Sequence, residues 1–229
     1  MPDPQSQSLI RRALEAAIRK AFTRAYQTIQ VDPERYLEQL RVSYGLPAIT
    51  YAGIFGVEMH HLDHIAEATI RASMKLAAAE GAGMGMGGLF TVIPDVGLLA
   101  AITMRMIQKL SLIYGFPYTT EDEQAELWIA AASAAGVDIT RDLVEKQVIS
   151  KFVPRVIQRI AAKASAEIVE KWAARLIPIV SGAIGAGLNY YFVRVWGERA
   201  LGHFRQRHLA MRHQHEQRAP IPLPASSAR

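Results

Sequence analysis

Acidic residues and histidines cluster between residues 58 and 64 at spacings that suit metal binding. His60 and His64 are four residues apart, and Glu58 and His61 are three apart. On a helix both spacings place two side chains on one face, so Glu58, His61 and His64 are candidate metal ligands. A metal-dependent hydrolase built on them, with Asp95 as a further carboxylate, is one alternative function. The sequence lacks HExxH and a second Glu-x-x-His pair, so a solvated helix face is the competing interpretation.

Other catalytic chemistries find little support in the sequence. The absence of cysteine excludes disulfides, thiolate nucleophiles and cysteine-ligated metals, and no G-x-S-x-G elbow occurs. Residues 83–88 match G-x-G-x-x-G, but a helical pattern rather than a strand precedes them and no GK[ST] follows. We therefore predict no cofactor, assign no catalytic residue and favour a non-enzymatic protein.

Two segments with almost no charged residues give the strongest indication of how the chain functions. Residues 81–94 and residues 176–193 carry no charge. Asp95, which follows the first segment, is predicted to cap a helix that extends to about Tyr114. A membrane-spanning helix needs about 20 apolar residues. Neither segment meets this clearly, because Pro94 and Asp95 interrupt the first and the second is shorter. Partial membrane insertion and a buried core helix both remain open.

Glycines in the second segment form a ridge of small residues. Ser181 and Gly185, Gly182 and Ala186, and Ala183 and Gly187 are all four residues apart. Such pairs let another helix approach closely, either in a soluble core or beside a membrane.

Positive charge accumulates at the C-terminal end of the sequence. Residues 194–229 hold seven arginines and two glutamates, which account for the whole formal net charge of +5. Arginines beside Trp196 and Phe204 suit anionic lipid headgroups, and the alternative is a solvated helix with exposed histidines, His203 and His208 among them. The candidate lipid contacts are Arg194, Arg199, Arg205, Arg207 and Arg212. No nucleic-acid motif occurs, so nucleic acid is not a predicted partner.

Helical patterns extend along the whole chain and predict an all-α fold. We expect one multi-helix domain in which the two glycine-rich apolar segments are central. It comprises an N-terminal amphipathic helix in 1–30, a helical domain over 31–217 and a disordered tail over 218–229. The predicted helices are 8–29 capped by Ser8, 34–43 after Asp32-Pro33, 57–80 ended by Gly81, the Asp95 helix, 121–135 after Thr120, 139–151 and 154–175 divided at Pro154, and 194–217.

The order of several short motifs resembles the EcsC protein family over about residues 35–208. The positions that carry the resemblance are Gly83, Gly85, Gly88, Pro94, Asp95, Tyr114, Gly115, Pro178, Gly182, Gly185 and Asn189. The family takes its name from a bacterial protein encoded beside two components of an ABC transporter. The resemblance implies a helical, membrane-associated protein and supplies no catalytic residue.

The residues and the resemblance together predict a non-enzymatic, membrane-associated protein. It would assist a membrane transporter or act at the lipid surface, with a membrane surface or a membrane protein as partner. Because residues 1–5 do not begin a signal peptide, we expect a cytoplasmic chain, peripheral or partly inserted at the inner face of the membrane. The alternatives are the metal-dependent hydrolase and a soluble scaffold with a buried apolar core.

Overall fold

The computed structural model describes the backbone of residues 4–28, 30–84, 89–139, 149–175 and 182–218, and side chains within 8–28, 30–79, 97–139, 149–170 and 189–214. This described part consists of seven α-helices, short connections and a 3-10 turn, without a β-strand. The helices are α1 (Pro4–Thr28), α2 (Pro33–Tyr44), α3 (Met59–Met84), α4 (Leu89–Ile113), α5 (Glu121–Ala134), α6 (Ile149–Arg175) and α7 (Gly182–Arg218); the turn is Ala52–Gly56. The predicted all-α fold in a single domain is confirmed.

Two helices begin at the capping residues that the sequence predicts. The Asp32 carboxylate accepts a hydrogen bond from the backbone N–H of Arg35 at 3.1 Å, and Pro33 is the first residue of α2. At α5, the Thr120 hydroxyl accepts from the N–H of Glu123, whose carboxylate accepts from the N–H of Thr120. Both caps satisfy backbone donors that the first turn of a helix leaves unpaired.

Two other predicted helix boundaries are wrong. α1 begins at Pro4, so Ser8 lies inside the helix instead of capping it. α3 continues through Gly81 to Met84. A glycine inside a helix costs only about 1 kcal/mol relative to alanine, so Gly81 does not by itself end a helix.

Two prolines lie inside helices where the sequence predicted boundaries. α4 begins at Leu89 and contains Pro94 and Asp95, so the predicted N-cap role of Asp95 is wrong. α6 likewise contains Pro154, where the sequence predicted a break; residues 140–148 lie outside the described part. In both helices the proline is the sixth residue, where its fixed φ suits the helix and the lost N–H removes one backbone hydrogen bond.

The C-terminal helix α7 is central to the described bundle. It packs against α3, α4 and α5, while α1 packs against α4 and α6. The predicted helix over 194–217 is confirmed, but the alternative of a fully solvated helix is wrong. Trp196, Ala200, Phe204 and His208 recur every fourth residue and are buried, so one face of α7 belongs to the core.

α3 runs antiparallel to α7 in close contact. Asp63 lies beside Arg205 and Ile70 lies beside Gly197, so residue numbers fall along α3 as they rise along α7. A Cβ on Gly197 would lie 3.0 Å from two carbon atoms of Ile70, which shows how closely the two helices approach.

α4 and α1 run parallel to α7. Met106 lies beside Gly197 and Tyr114 beside His208, so residue numbers rise together along α4 and α7. Helix α1 runs in the same direction as α4. Its Ile18 and Phe22 share a small apolar cavity with Leu99 and Ala100. Further along both helices, the Val31 N–H donates to the side-chain oxygen of Gln108 at 3.1 Å. The end of α3 and the starts of α1, α4 and α7 therefore lie at one end of the bundle, which we call the apolar end.

Candidate functional site

The apolar end brings together the described parts of the two charge-poor segments. The last turn of α3 contains Gly83, the first turns of α4 contain Pro94 and Asp95, and the first turns of α7 contain Gly182 and Gly185. The other motif positions predicted here, Gly85, Gly88 and Pro178, lie outside the described residues, as does Ser181. The side chains of the predicted glycine ridge are not among those described, so its contacts stay a prediction.

Exposed apolar side chains lie just below this end. By the helix registers, Leu76 of α3 and Leu98 of α4 lie at about the level of Tyr190 and Tyr191 of α7. These four side chains are between 36% and 50% exposed, and we call them the collar. Leu9, in the first half of α1, is 65% exposed and lies nearer to the end of the bundle than the collar.

The position of the collar along α7 defines the length of the apolar end. Tyr190 lies eight residues after Gly182, the first described residue of α7. At 1.5 Å per residue the collar is about 12 Å from the described end of that helix. None of the helices in the described ranges is both long and apolar enough to cross a membrane.

The motif Tyr114-Gly115 lies toward the opposite end of the bundle, where α4 stops. Gly115 has a φ of 89°, in the left-handed region that favours glycine. A Cβ there would also lie 3.2 Å from the Tyr51 carbonyl oxygen and 3.3 Å from the Phe55 ring. Conformation and space together therefore require glycine, and the 3-10 turn can pack directly against it.

Tyr114 belongs to a polar cluster that joins three helices. Its hydroxyl donates a 2.6 Å hydrogen bond to one carboxylate oxygen of Asp63, and Arg205 donates to the other oxygen at 3.0 Å. Burial, and then the hydrogen bond to Asp63, raise the pKa of Tyr114, so its hydroxyl stays a donor. Through these two contacts Asp63 ties α3 to the end of α4 and to α7.

His208 completes this Asp63 cluster from the core side. Its Nδ1–H donates to the Tyr114 carbonyl oxygen at 2.8 Å, and its ring stacks on Phe55 with centroids 4.8 Å apart. The side chain is fully buried, so its predicted exposure is wrong. Burial also lowers the pKa of His208, and its Nε2 has no hydrogen-bond partner among the described residues. These bonds within the protein favour a structural role for the cluster.

Two of the candidate lipid arginines on α7 pair with acids on neighbouring helices. Arg205 pairs with Asp63, and Arg207 pairs with Glu126 of α5 at 3.2 Å while its guanidinium lies 4.5 Å from the centre of the Phe116 ring. Part of the positive charge in the C-terminal sequence is therefore compensated by the bundle.

Two further candidate arginines also have partners within the protein. Arg194 forms an exposed ion pair with Glu198 at 2.8 Å, and Arg199 donates to the carbonyl oxygen of Ala134 at the end of α5 at 3.3 Å. Arg212, the fifth candidate, is partly exposed. Lipid contact by these five residues stays a prediction, and their contacts point toward roles inside the fold.

The candidate metal ligands do not form a ligand set. In the described ranges, no group of three or more histidine, aspartate or glutamate side chains is placed to hold a metal ion. Glu58 precedes α3, and its backbone carbonyl accepts hydrogen bonds from the N–H groups of His61 and Leu62. Glu58 therefore contributes to the start of α3 through its backbone, whereas His64 is exposed one turn further on.

An open cleft of about 650 Å³ lies between α1, α2, α4 and α5. Several polar groups of its lining already bind one another: Tyr118 donates to the Val31 carbonyl oxygen, and the Gln108 side-chain oxygen accepts from the Val31 N–H. The Gln124 side-chain oxygen is 3.4 Å from the Tyr26 hydroxyl. These bonds hold the helices around the cleft together and leave it without a marked chemical preference.

Two features of α7, its buried face and its close contact with α3, were not predicted from the sequence. The four-residue spacing of Trp196, Ala200, Phe204 and His208 was the available signal that α7 is a core helix. Gly197 carried no such signal, because its close contact with Ile70 depends on how α3 and α7 cross.

Comparisons with known proteins cover most of the chain. The model of the EcsC protein family matches residues 3–209, and so includes α1. Among curated proteins, Protein EcsC of Bacillus subtilis (strain 168) is 33% identical over 144 residues, which are 60% of this chain and 60% of that protein. No solved structure matches the chain. The resemblance carried by the motifs from Gly83 to Asn189 is thereby confirmed, and the chain belongs to the EcsC protein family.

Proposed function

We propose that this chain is a peripheral membrane protein that inserts its apolar end into one leaflet and acts by binding, without catalysis. The observation that carries the proposal is the collar, in which three helices expose four large apolar side chains at one level of the bundle. A soluble protein normally exposes such side chains singly, and their grouping indicates an interaction surface.

The dimensions of the apolar end support shallow insertion. Interfacial protein segments enter the boundary between headgroups and acyl chains by about 5–10 Å. The collar lies about 12 Å from the first described residue of α7, so insertion of the end would bring Tyr190 and Tyr191 to the headgroup level. Tyrosine is enriched there because its ring is apolar and its hydroxyl can stay hydrated.

The sequence between the collar and the helix ends supports the same orientation. In the parts of α3, α4 and α7 beyond the collar, residues 81–94 and 182–189 carry no charge, and Glu80 and Asp95 are the charged exceptions. In this proposal the protein lies on the cytoplasmic side of the membrane. A membrane protein, such as a transporter, is the competing partner for the same apolar surface.

Binding to protein-free vesicles separates these partners. The chain, and a variant with Leu76→Ser, Tyr190→Ser and Tyr191→Ser, would be floated with phosphatidylcholine vesicles. The matched control is Val42→Ser, Tyr44→Ser and Ile49→Ser, because these side chains are as exposed but lie on and after α2. Thermal melts would establish that both variants fold.

We expect the chain and the control to float and the collar variant to stay at the bottom of the gradient. Complete burial of an apolar side chain contributes about 1.5–3 kcal/mol, so three partly exposed ones should change the affinity at least 10-fold. If the chain does not bind protein-free vesicles, or if both variants bind as it does, insertion of the apolar end is wrong.

A further inference from the structure

Exposed cations line the outer face of α1. Five basic side chains, all exposed, lie on this helix: Arg11, Arg12, Arg19, Lys20 and Arg24. Its one acid with a described side chain is Glu15, which is half-buried. No ion pair among the described side chains engages any of the five cations.

Helix α6 packs beside α1 and continues the positive surface. Lys151, Arg155, Arg159 and Lys163 are exposed. Arg155 and Arg159 line an open cleft of about 440 Å³ whose lining from α1 is Glu15. Arg12 and Arg19 lie three and four residues from Glu15, on the same side of α1. Arginines from two helices thus lie on the side of the bundle that carries Glu15.

The charge balance of these two helices differs from that of the rest of the molecule. Their described side chains include nine lysines and arginines but three glutamates, an excess larger than the whole chain's net charge of +5. Residues 30–148 hold fifteen acidic and eight basic residues, which cancel this excess along the sequence. Many of these acids lie on α2, α3 and α5, so on α1 and α6 themselves the described cations outnumber the described acids.

We propose that the outer face of α1 and α6, which we call the basic face, binds the anionic phospholipid headgroups of a bilayer. This inference rests on the proposed function, since the same bilayer receives the apolar end. α1 connects the two surfaces: its exposed Leu9 lies toward the apolar end, and Arg11 and Arg12 follow directly. An apolar surface continuous with a basic one is typical of interfacial membrane binding, whereas nucleic acid would require the basic surface alone.

Neutralising the basic face tests this inference in the full chain. The variant carries Arg19→Gln, Arg155→Gln and Arg159→Gln. The control carries Arg35→Gln, Arg41→Gln and Arg71→Gln, which removes the same charge from exposed positions that pair with acids. Vesicles of phosphatidylcholine alone, and with about a quarter of phosphatidylserine, would be compared at low and high salt.

We expect phosphatidylserine to strengthen binding of the chain and of the control, and added salt to remove this gain. Each cation near an anionic surface strengthens binding by about fivefold, so the basic-face variant should lose on the order of 100-fold. The inference would be overturned if the basic-face variant and the control lost the same affinity for phosphatidylserine vesicles. It would also be overturned if the unsubstituted chain bound both kinds of vesicle equally. Tighter binding of the chain to duplex DNA than to phosphatidylserine vesicles at the same salt would overturn it as well.

The collar variant distinguishes failure of this inference from failure of the proposed function. If the collar variant binds phosphatidylserine vesicles as the chain does while the basic-face variant does not, the basic face stands and apolar insertion fails. If the collar variant loses binding while the basic-face variant keeps it, insertion stands and the basic face is wrong.

Discussion

At the scale of single residues, the Asp63 cluster shows how one carboxylate joins three helices. Both Asp63 oxygens are used, one by the Tyr114 hydroxyl and one by Arg205, and His208 holds the Tyr114 carbonyl oxygen. Because the acceptor is charged, each of these bonds to Asp63 is stronger than an average protein hydrogen bond. The motif residue Tyr114 is thus explained by its contacts inside the fold.

The contribution of the Tyr114 hydroxyl can be measured directly. Tyr114→Phe removes the donor to Asp63 but keeps the ring in the core, so we expect a loss of about 1–2 kcal/mol in the free energy of unfolding. Urea denaturation would measure it, with Tyr44→Phe, an exposed tyrosine on α2, as the control. Equal stability of all three proteins would show that the bond to Asp63 contributes nothing.

Two histidines, His208 buried and His203 half-buried, predict how stability depends on pH. Burial lowers the pKa of both His203 and His208; nearby positive charges, Arg207 and Arg212 respectively, lower them further, while Glu126 and Asp63 act in the opposite direction. The Tyr114 carbonyl bond also opposes the shift at His208. Unfolded histidine titrates near pH 6.5, so below that pH the unfolded chain binds protons that the folded chain does not.

The free energy of unfolding should therefore fall as the pH drops below about 6.5, until the lowered pKa values are reached. The slope is at most about 1.4 kcal/mol per pH unit for each histidine. Urea denaturation at several pH values would show a shallower dependence for His208→Gln, and an unchanged one for the exposed His60→Gln. A slope that is the same in both variants would contradict the assignment to His208.

At the scale of elements, the contact between α3 and α7 depends on one glycine. A Cβ on Gly197 would lie 3.0 Å from Ile70 and 3.1 Å from the Met106 sulfur, so side chains of both neighbouring helices would have to move by a few tenths of an ångström to admit it. A Cβ on Gly202, five residues later in α7, would have no neighbouring atom within 4 Å. The two glycines share one helix and differ in their surroundings.

Alanine substitution at the two positions should have opposite effects. Gly197→Ala should lower the free energy of unfolding by about 1–3 kcal/mol, because the helices must move apart or shift side chains. Gly202→Ala should raise it by about 0.5–1 kcal/mol, because alanine favours the helix and no contact opposes it. The urea concentrations at which the two variants are half unfolded would be compared with that of the unsubstituted chain. If Gly197→Ala left the free energy of unfolding unchanged, the distance between α3 and α7 would adjust without cost.

At the scale of the whole molecule, α1 is part of the core of the bundle. Leu14, Ile18, Phe22 and Ala25 are buried, and they pack within the same cluster as residues of α4, α6 and α7. Phe22 and Trp196 of α7 have ring centroids 5.7 Å apart. The N-terminal helix therefore covers apolar surface that the other helices could not hide without it.

Removing α1 should prevent cooperative folding. A chain of residues 31–229 would expose the partners of Ile18 and Phe22, and we expect it to bind a hydrophobic dye and to lack a sharp thermal transition. A chain lacking residues 219–229, which lie after the last described helix, is the comparison and should melt like the full chain. A cooperative transition in the chain without α1 would show that residues 31–229 fold independently.

The helices, several of their ends and the family could be predicted from the amino-acid sequence. Apolar spacing, the caps at Asp32 and Thr120, and the motif Tyr114-Gly115 are local signals, because they depend on residues within one or two helical turns. Local signals failed at Gly81, Pro94 and Pro154, where packing along a long helix outweighs one unfavourable residue.

Which charged side chains lie together on the surface could not be predicted from the sequence, because it depends on how the helices pack. Along the sequence the positive charge collects after Arg194, yet Arg205 and Arg207 meet acids that lie far away in the sequence, on α3 and α5. Along the sequence, residues 30–148 cancel the cations of α1 and α6, whereas the described side chains of these two helices include nine cations and three acids. Charges interact through space over about 10 Å, so their effect is set by helix packing and not by order along the chain.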